Sequence, residues 1–167
     1  LDWSVEQTEY PVAIKLPGGA MISDGKEVKK DFSRLDQYEV TRKGSKVAVI
    51  GLGTFYGLAG QAADLIGEKT GIAATVINPY YITGLDEELL EELKKDHDIV
   101  VTLEDGILNG GFGEKITRFY GGSDMKVLNY GLKKEFIDRY DVKEILLENH
   151  LTAEQIADDV MQVEQKR

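Results

Sequence analysis

Two glycine-rich turns, two histidines and one lysine are the places in this chain where residue type and spacing could do chemistry. The first turn lies in residues 46–57, KVAVIGLGTFYG. An apolar run, Val47 to Ile50, meets Gly51 and Gly53, and Thr54 then stands where a helix N-cap is expected. In open α/β sheets this turn at a strand's carboxyl end is where ligands bind. A dinucleotide fingerprint needs G-x-G-x-x-G, but Tyr56 occupies the sixth position and the third glycine comes one residue late, at Gly57. Asn78-Pro79 stands where a ribose-binding acid belongs, and the Gly-Lys-Ser/Thr of a P-loop is missing. The turn is therefore expected to join strand to helix without holding a phosphate.

The second turn, Gly110-Gly111-Phe112-Gly113, follows a strand that ends in Glu104-Asp105. Amides at a helix N-terminus can hold an anion, but two neighbouring acids oppose one. Close backbone approach to a neighbouring subunit or domain is the expected use of these glycines. His97 lies among acids at a helix end, where a solvated surface position is expected, and His150 is placed to cap a helix. Neither has a second histidine or Glu-x-x-His pattern at metal-ligand spacing. Ser4, Ser23, Ser33, Ser45 and Ser123 all lie outside any G-x-S-x-G elbow. The pairs Glu91-Glu92 and Asp158-Asp159 read as solvated helix faces. Lys15 precedes a Pro-Gly-Gly turn at a strand's carboxyl end; it could reach a substrate phosphate or lie exposed on a sheet edge, and its residue type leaves both open.

Composition narrows the function classes. The 167 residues suffice for one domain with a real core. A formal charge of −10 argues against a nucleic-acid partner or an anionic membrane surface. No apolar run approaches the ~20 residues of a membrane span. The absence of cysteine excludes disulfides, thiol catalysis and thiolate metal sites, and suits a cytoplasmic location.

The elements that would position these residues follow from periodicity. Residues 10–16, YPVAIKL, read as a strand with no partner nearby in sequence. Residues 17–36 carry glycines and mixed charge without a period, as a domain linker does. Residues 38–41 and 47–50 read as strands, and the spacing of Phe55, Leu58, Ala59, Ala62, Leu65 and Ile66 predicts a helix ending at Gly71. Strands at 72–77, 98–103 and 126–130 are separated by a helix that Asp86 caps and a short helix at 114–120, and two helices capped by Asp141 and Thr152 close the chain. The last helix carries an apolar stripe of Ile156, Val160 and Val163. The fold class is α/β: three layers around a five-stranded, mostly parallel sheet.

Four stretches together resemble the end of the transketolase-like, thiamine-diphosphate-dependent family: PVAIKLPGG at 11–19, VAVIGLGT at 47–54, the pair VINPYYITGLDEELL and VVTLEDGILNGGFG, and GLKKEFID at 131–138. Within it the chain is most similar to 1-deoxy-D-xylulose-5-phosphate synthases, with transketolase, or a split transketolase subunit, as the alternative. The resemblance implies a remnant of the pyrimidine-binding domain at 1–19, a linker at 20–36 and a transketolase-like C-terminal domain at 37–167. It implies a parent enzyme that uses thiamine diphosphate and Mg²⁺ to pass a two-carbon unit from pyruvate to glyceraldehyde 3-phosphate, for isoprenoid precursors. The family's cofactor glutamate, its Gly-Asp-Gly metal motif and its catalytic histidines have no counterpart here. This stretch is thus expected to carry no catalytic residue, cofactor site or metal site, and to be inactive alone. Its implied partners are the upstream domains of its own chain and a second copy in a homodimer. Where the family reads A-I-R-Y-P-R-G, Lys15 matches the first arginine, the implied ligand of the substrate phosphate, and Gly18 replaces the second. Residues 80–84, YYITG, replace the synthase's Arg-Phe-Val-Lys-Pro. A free-standing anion-binding or regulatory module is the reading outside the enzyme classes.

Overall fold

The computed structural model describes residues 2–16, 34–138 and 140–166. The chain divides into two units, Leu1–Leu35 and Asp36–Arg167. In the first, Asp2–Glu6 forms a single helical turn, α1. The Gln7 carboxamide oxygen then accepts the N–H groups of Glu9 and Tyr10, both at 3.0 Å. The strand expected over residues 10–16 does not form: residues 11–16 belong to no ladder, and Val12, Ile14 and Leu16 are exposed. Apolar, β-prone residues make a strand only where a neighbouring backbone supplies hydrogen bonds. Gly18 and residues 20–33 of the expected linker lie outside the described residues.

The second unit holds a five-stranded sheet in the order β1-β3-β2-β4-β5. These strands are β1 (Glu39–Arg42), β2 (Lys46–Gly51), β3 (Thr75–Asn78), β4 (His97–Ile107) and β5 (Lys126–Leu132). Strands β2 to β5 are mutually parallel, and β1 runs antiparallel on the β3 edge with a register shift between Val40 and Arg42. The expected α/β class with a mostly parallel five-stranded sheet is the observed one.

Burial on both faces explains the uninterrupted apolar runs of the central strands. Successive side chains of a strand point to opposite faces. Val47, Val49, Ile99, Val101 and Leu103 join one core with Ala59, Ala62 and Ile66 of α2 (Tyr56–Thr70) and Ile156, Ala157 and Val160 of α6 (Ala153–Gln165). Ala48, Ile50, Ile77 and Val100 join the other, with Leu90 and Leu93 of α3 (Glu87–Leu93) and Phe112, Ile116 and Tyr120 of α4 (Phe112–Tyr120). The stripe on α6 is thus core, as expected.

The helix boundaries follow local chemistry. Gly71, at φ 76°, ends α2 in the left-handed region where glycine carries no Cβ penalty. Asp86 caps α3 by accepting the Leu89 N–H at 3.0 Å, and its second oxygen accepts the Tyr38 N–H at 2.8 Å, which ties the entry of β1 to that helix. Asp141 caps α5 (Val142–Glu148) through the Lys143 and Glu144 N–H groups. Thr152 caps α6 by accepting the Gln155 N–H at 3.3 Å. The Gln155 side chain reaches back to the Thr152 hydroxyl, which donates to its Oε1 at 2.8 Å, in place of the Thr152 N–H of a capping box, and its Nε2 donates to the Leu147 carbonyl at 3.0 Å, tying α6 to α5.

Three tyrosines are buried in these layers. Burial first of all, and then nearby carboxylates, push the phenols of Tyr38, Tyr120 and Tyr130 well above the ordinary value of 10.0. The folded state therefore keeps them protonated where the unfolded chain would ionise. The stability this confers is complete below pH 10 and is lost progressively as pH rises past it. Spectrophotometric titration at the phenolate band should show three of the eight tyrosines ionising only as the fold is lost, in one step with the loss of circular dichroism.

Candidate functional site

The carboxyl ends of β2 and β4 lie side by side where the sheet order reverses, and both glycine turns of interest open there. At the end of β2 the Leu52 N–H donates to the Leu103 carbonyl at 2.8 Å, and the Phe55 N–H closes back on Leu52 at 3.1 Å. Residues Gly53–Phe55 form one 3₁₀ turn before α2 begins. Thr54 is not the cap. Its hydroxyl donates instead to Asp105 Oδ2 at 3.3 Å, and α2 starts from Phe55 with no capping side chain. Gly53, at φ 57°, carries the bend, with the Asp105 carboxylate 3.7 Å from where its Cβ would lie. Gly51 serves packing: a Cβ there would fall 2.6 Å from Ala59 Cβ and 2.8 Å from Tyr56 Cα. Gly57 faces open space, so its resemblance to a third fingerprint glycine has no steric basis. A carboxylate therefore stands beside this turn and opposes a bound phosphate there.

The second turn is occupied from within the chain. Glu104, 4% exposed, accepts the Phe112 N–H at 2.8 Å through Oε2 and the Gly113 N–H at 3.1 Å through Oε1. A buried carboxylate so placed meets both the unpaired amides and the positive end of the α4 dipole. Glu114 accepts the Gly110 N–H at 2.9 Å. Of the two acids read as opposing an anion here, Glu104 is itself the anion bound, while Asp105 turns to Thr54 of the first turn.

The glycines permit that arrangement. A Cβ at Gly111 would lie 2.4 Å from Glu104 Oε2, and one at Gly113 would lie 2.6 Å from Thr102 Oγ1. Thr102 donates to Asn129 Oδ1 at 2.7 Å, and Asn129 Nδ2 donates to Thr117 Oγ1 at 2.7 Å. The close approach these glycines allow is thus to Glu104, Thr102 and Asn129 of the same domain.

One of the two histidines departs from what its sequence surroundings implied. The His97 side chain is 4% exposed rather than solvated, because it starts β4 inside the sheet. Its Nε2 lies 2.8 Å from Thr75 Oγ1 and its Nδ1 2.6 Å from Asp96 Oδ1. Thr75 Oγ1 also accepts the Gly44 N–H at 2.9 Å. Every group is satisfied when Nδ1–H donates to Asp96 and the Thr75 hydroxyl donates to Nε2. His150 lies just past α5 at φ 56°; its N–H reaches the Leu147 carbonyl and that of Leu151 the Leu146 carbonyl, the bond pattern of a Schellman C-cap. The expected capping role is met by backbone geometry, and the ring turns to Asp159 at 3.4 Å.

A shallow cleft of about 410 Å³ runs along β5, lined by Tyr130, Lys133, Asn149, His150 and Asp159 among others. The Tyr130 hydroxyl donates to Asp159 at 3.0 Å. Among the described residues, no cluster of three or more His, Asp or Glu could hold a metal ion, and no helix is long and apolar enough to cross a membrane. Lys15 is exposed in the first unit, outside any strand.

This architecture has close counterparts among known proteins. The sequence profile described as "Transketolase, C-terminal domain" matches residues 36–156. The chain belongs to the transketolase C-terminal domain family. Among its relatives, the 1-deoxy-D-xylulose-5-phosphate synthase of Symbiobacterium thermophilum is 39% identical over 121 residues, 71% of this chain and 18% of that protein. That of Clostridium beijerinckii is 32% identical over 165 residues, 98% of this chain and 26% of that protein. The chain thus spans about a quarter or less of the length of these relatives. A solved "Split gene transketolase, inactive beta4 tetramer" superposes with a TM-score of 0.68 at 25% identity, covering 77% of this chain and 42% of that one. A transketolase mutant from Pichia stipitis shares the fold, with a TM-score of 0.52 at 17% identity over 76% of this chain and 18% of that one. The transketolase C-terminal domain seen here is therefore an α/β unit whose second glycine turn is held by its own Glu104 and Glu114 and whose first has Asp105 beside it.

Proposed function

We propose that this transketolase C-terminal domain serves a thiamine-diphosphate-dependent transferase of the 1-deoxy-D-xylulose-5-phosphate synthase type. The observation that carries the reading is its similarity to synthases across 90% or more of the chain in several relatives. In this reading residues 1–19 belong to a pyrimidine-binding domain, 20–36 to a linker and 37–167 to the C-terminal domain. The division after Leu35 and the profile match from residue 36 support that arrangement. Thiamine diphosphate with Mg²⁺, bound by other domains, supplies the chemistry that decarboxylates pyruvate. The present domain contributes packing against those domains and within a homodimer, and has no activity alone. Four exposed apolar side chains around α5, Phe136, Tyr140, Val142 and Leu147, support a packing role. Lys15 holds the phosphate of the aldehyde acceptor, so Lys15→Ala in the complete enzyme raises the KM for glyceraldehyde 3-phosphate more than it lowers kcat.

The test is an assay of the polypeptide that carries this domain with its upstream domains. Pyruvate and glyceraldehyde 3-phosphate should yield carbon dioxide and a five-carbon ketose phosphate, dependent on thiamine diphosphate. Two-carbon transfer from a ketose phosphate, with pyruvate inert, would instead identify a transketolase. The likeness to the split-gene transketolase supports that second reading. A free-standing anion-binding module has less support, because Glu104 and Glu114 already take amides of the second turn and the Asp105 carboxylate lies beside the first.

A further inference from the structure

The chain has four asparagines, and they differ in how they are held and in which residue comes next. Asn78 precedes Pro79, which has no N–H. The Asn129 carboxamide is fixed between Thr102 and Thr117, and that of Asn149 between the Lys133 N–H and the Ile145 carbonyl. Asn109 stands apart. It is exposed, its side chain has no hydrogen-bond partner among the described residues, and Gly110 is its neighbour. The pair forms a turn closed by the Gly111 N–H to the Leu108 carbonyl at 2.9 Å. Gly110 lies at φ 74° with nothing within 4 Å of where a Cβ would be, so no bulk at its own Cα hinders its nitrogen, whose N–H donates to the Glu114 carboxylate. Asparagine is a chemically labile residue, and its intramolecular cyclisation needs a free carboxamide and an unhindered backbone nitrogen on the next residue.

We propose that Asn109 is a site of spontaneous covalent modification, with Glu114 as the proton acceptor. The Gly110 nitrogen attacks Asn109 Cγ, and a C–N bond forms as the bond from Cγ to the carboxamide NH₂ breaks. Glu114 Oε2, already 2.9 Å from the Gly110 nitrogen, takes its proton and returns one to the departing ammonia. The product is a five-membered succinimide. Water then adds to one of its two carbonyls and opens the ring, leaving aspartate or isoaspartate at position 109. The sum is one water gained and one ammonia lost, with no oxidant or reductant. The new carboxylate lies just before the N-terminus of α4, whose dipole favours negative charge. Isoaspartate also lengthens the backbone by one carbon immediately before the turn that Glu104 holds.

The purified chain, incubated at 37 °C and mildly alkaline pH, tests this by peptide mapping with an isoaspartate assay. The tryptic peptide spanning residues 96–115, whose sole asparagine is Asn109, should convert to its aspartyl mass ahead of the peptides holding the other three. An acidic species should grow in on ion exchange in parallel. Asn109→Gln should abolish that species, and Glu114→Gln should slow it, with circular dichroism reporting that both variants fold. Earlier conversion at Asn78, Asn129 or Asn149, or an undiminished rate in Glu114→Gln, would overturn the proposal.

Discussion

Glu104→Ala should lower the stability of the domain by about 3 kcal/mol, because two helix N-terminal amides lose a charged acceptor in a buried site. For a domain of this size that is a fall of roughly 10 °C in Tm, measured by circular dichroism. Glu104→Gln should fall between, since a carboxamide offers an oxygen to one amide and an NH₂ to the other. The alanine variant also opens a small space facing the Phe112 and Gly113 amides, which formate can enter. Its Tm should recover in part with added formate, while that of the unsubstituted chain should not respond. Equal Tm values for all three proteins would mean that Glu104 does not hold α4.

Gly51→Ala is the second large effect. The added Cβ would meet Ala59 Cβ at 2.6 Å, Tyr56 Cα at 2.8 Å and the Phe55 carbonyl oxygen at 2.9 Å. Two of these are backbone atoms of the strand–helix turn, so the clash cannot be relieved by a rotamer change. Forcing α2 away from the sheet costs about 2–3 kcal/mol by the usual measure of overpacking. Gly57→Ala, six residues on, should do the reverse. Gly57 lies in α2 with nothing within 4 Å of its missing Cβ, so alanine should stabilise by about 0.5–1 kcal/mol. Opposite signs in urea denaturation would show that this glycine turn is shaped by helix–sheet contact. Two losses of similar size would point to a shared role in binding.

The contrast between these glycines marks how far the sequence could be read. The parallel sheet was legible because both faces of β2 and β4 are buried, which leaves an unbroken apolar run that few other environments tolerate. Helix ends were legible where one residue decides them locally, as at Asp86, Asp141 and Gly71. Residues 10–16 show the limit: an apolar pattern gives strand propensity, while a strand also needs a partner. The site was legible only in outline. Mis-spaced glycines already argued against a phosphate at Gly51, but which carboxylate lies at each turn depends on β4 extending to Ile107 and placing Glu104 and Asp105 opposite the two turns. Glu104, closing an apolar strand eight residues before a Gly-Phe-Gly helix start, was the available signal. His97 was misplaced for a related reason, since acidic neighbours in sequence say nothing of the sheet its ring enters.

In the proposed role this domain supports a thiamine-dependent enzyme while binding neither cofactor nor phosphate through its own glycine turns. Isothermal titration of the chain with thiamine diphosphate and Mg²⁺, and separately with inorganic phosphate, puts that to the test. Neither titration should give heat beyond dilution. Saturable binding of either ligand that is weakened by Gly53→Ala or Gly111→Ala in a folded variant would contradict it.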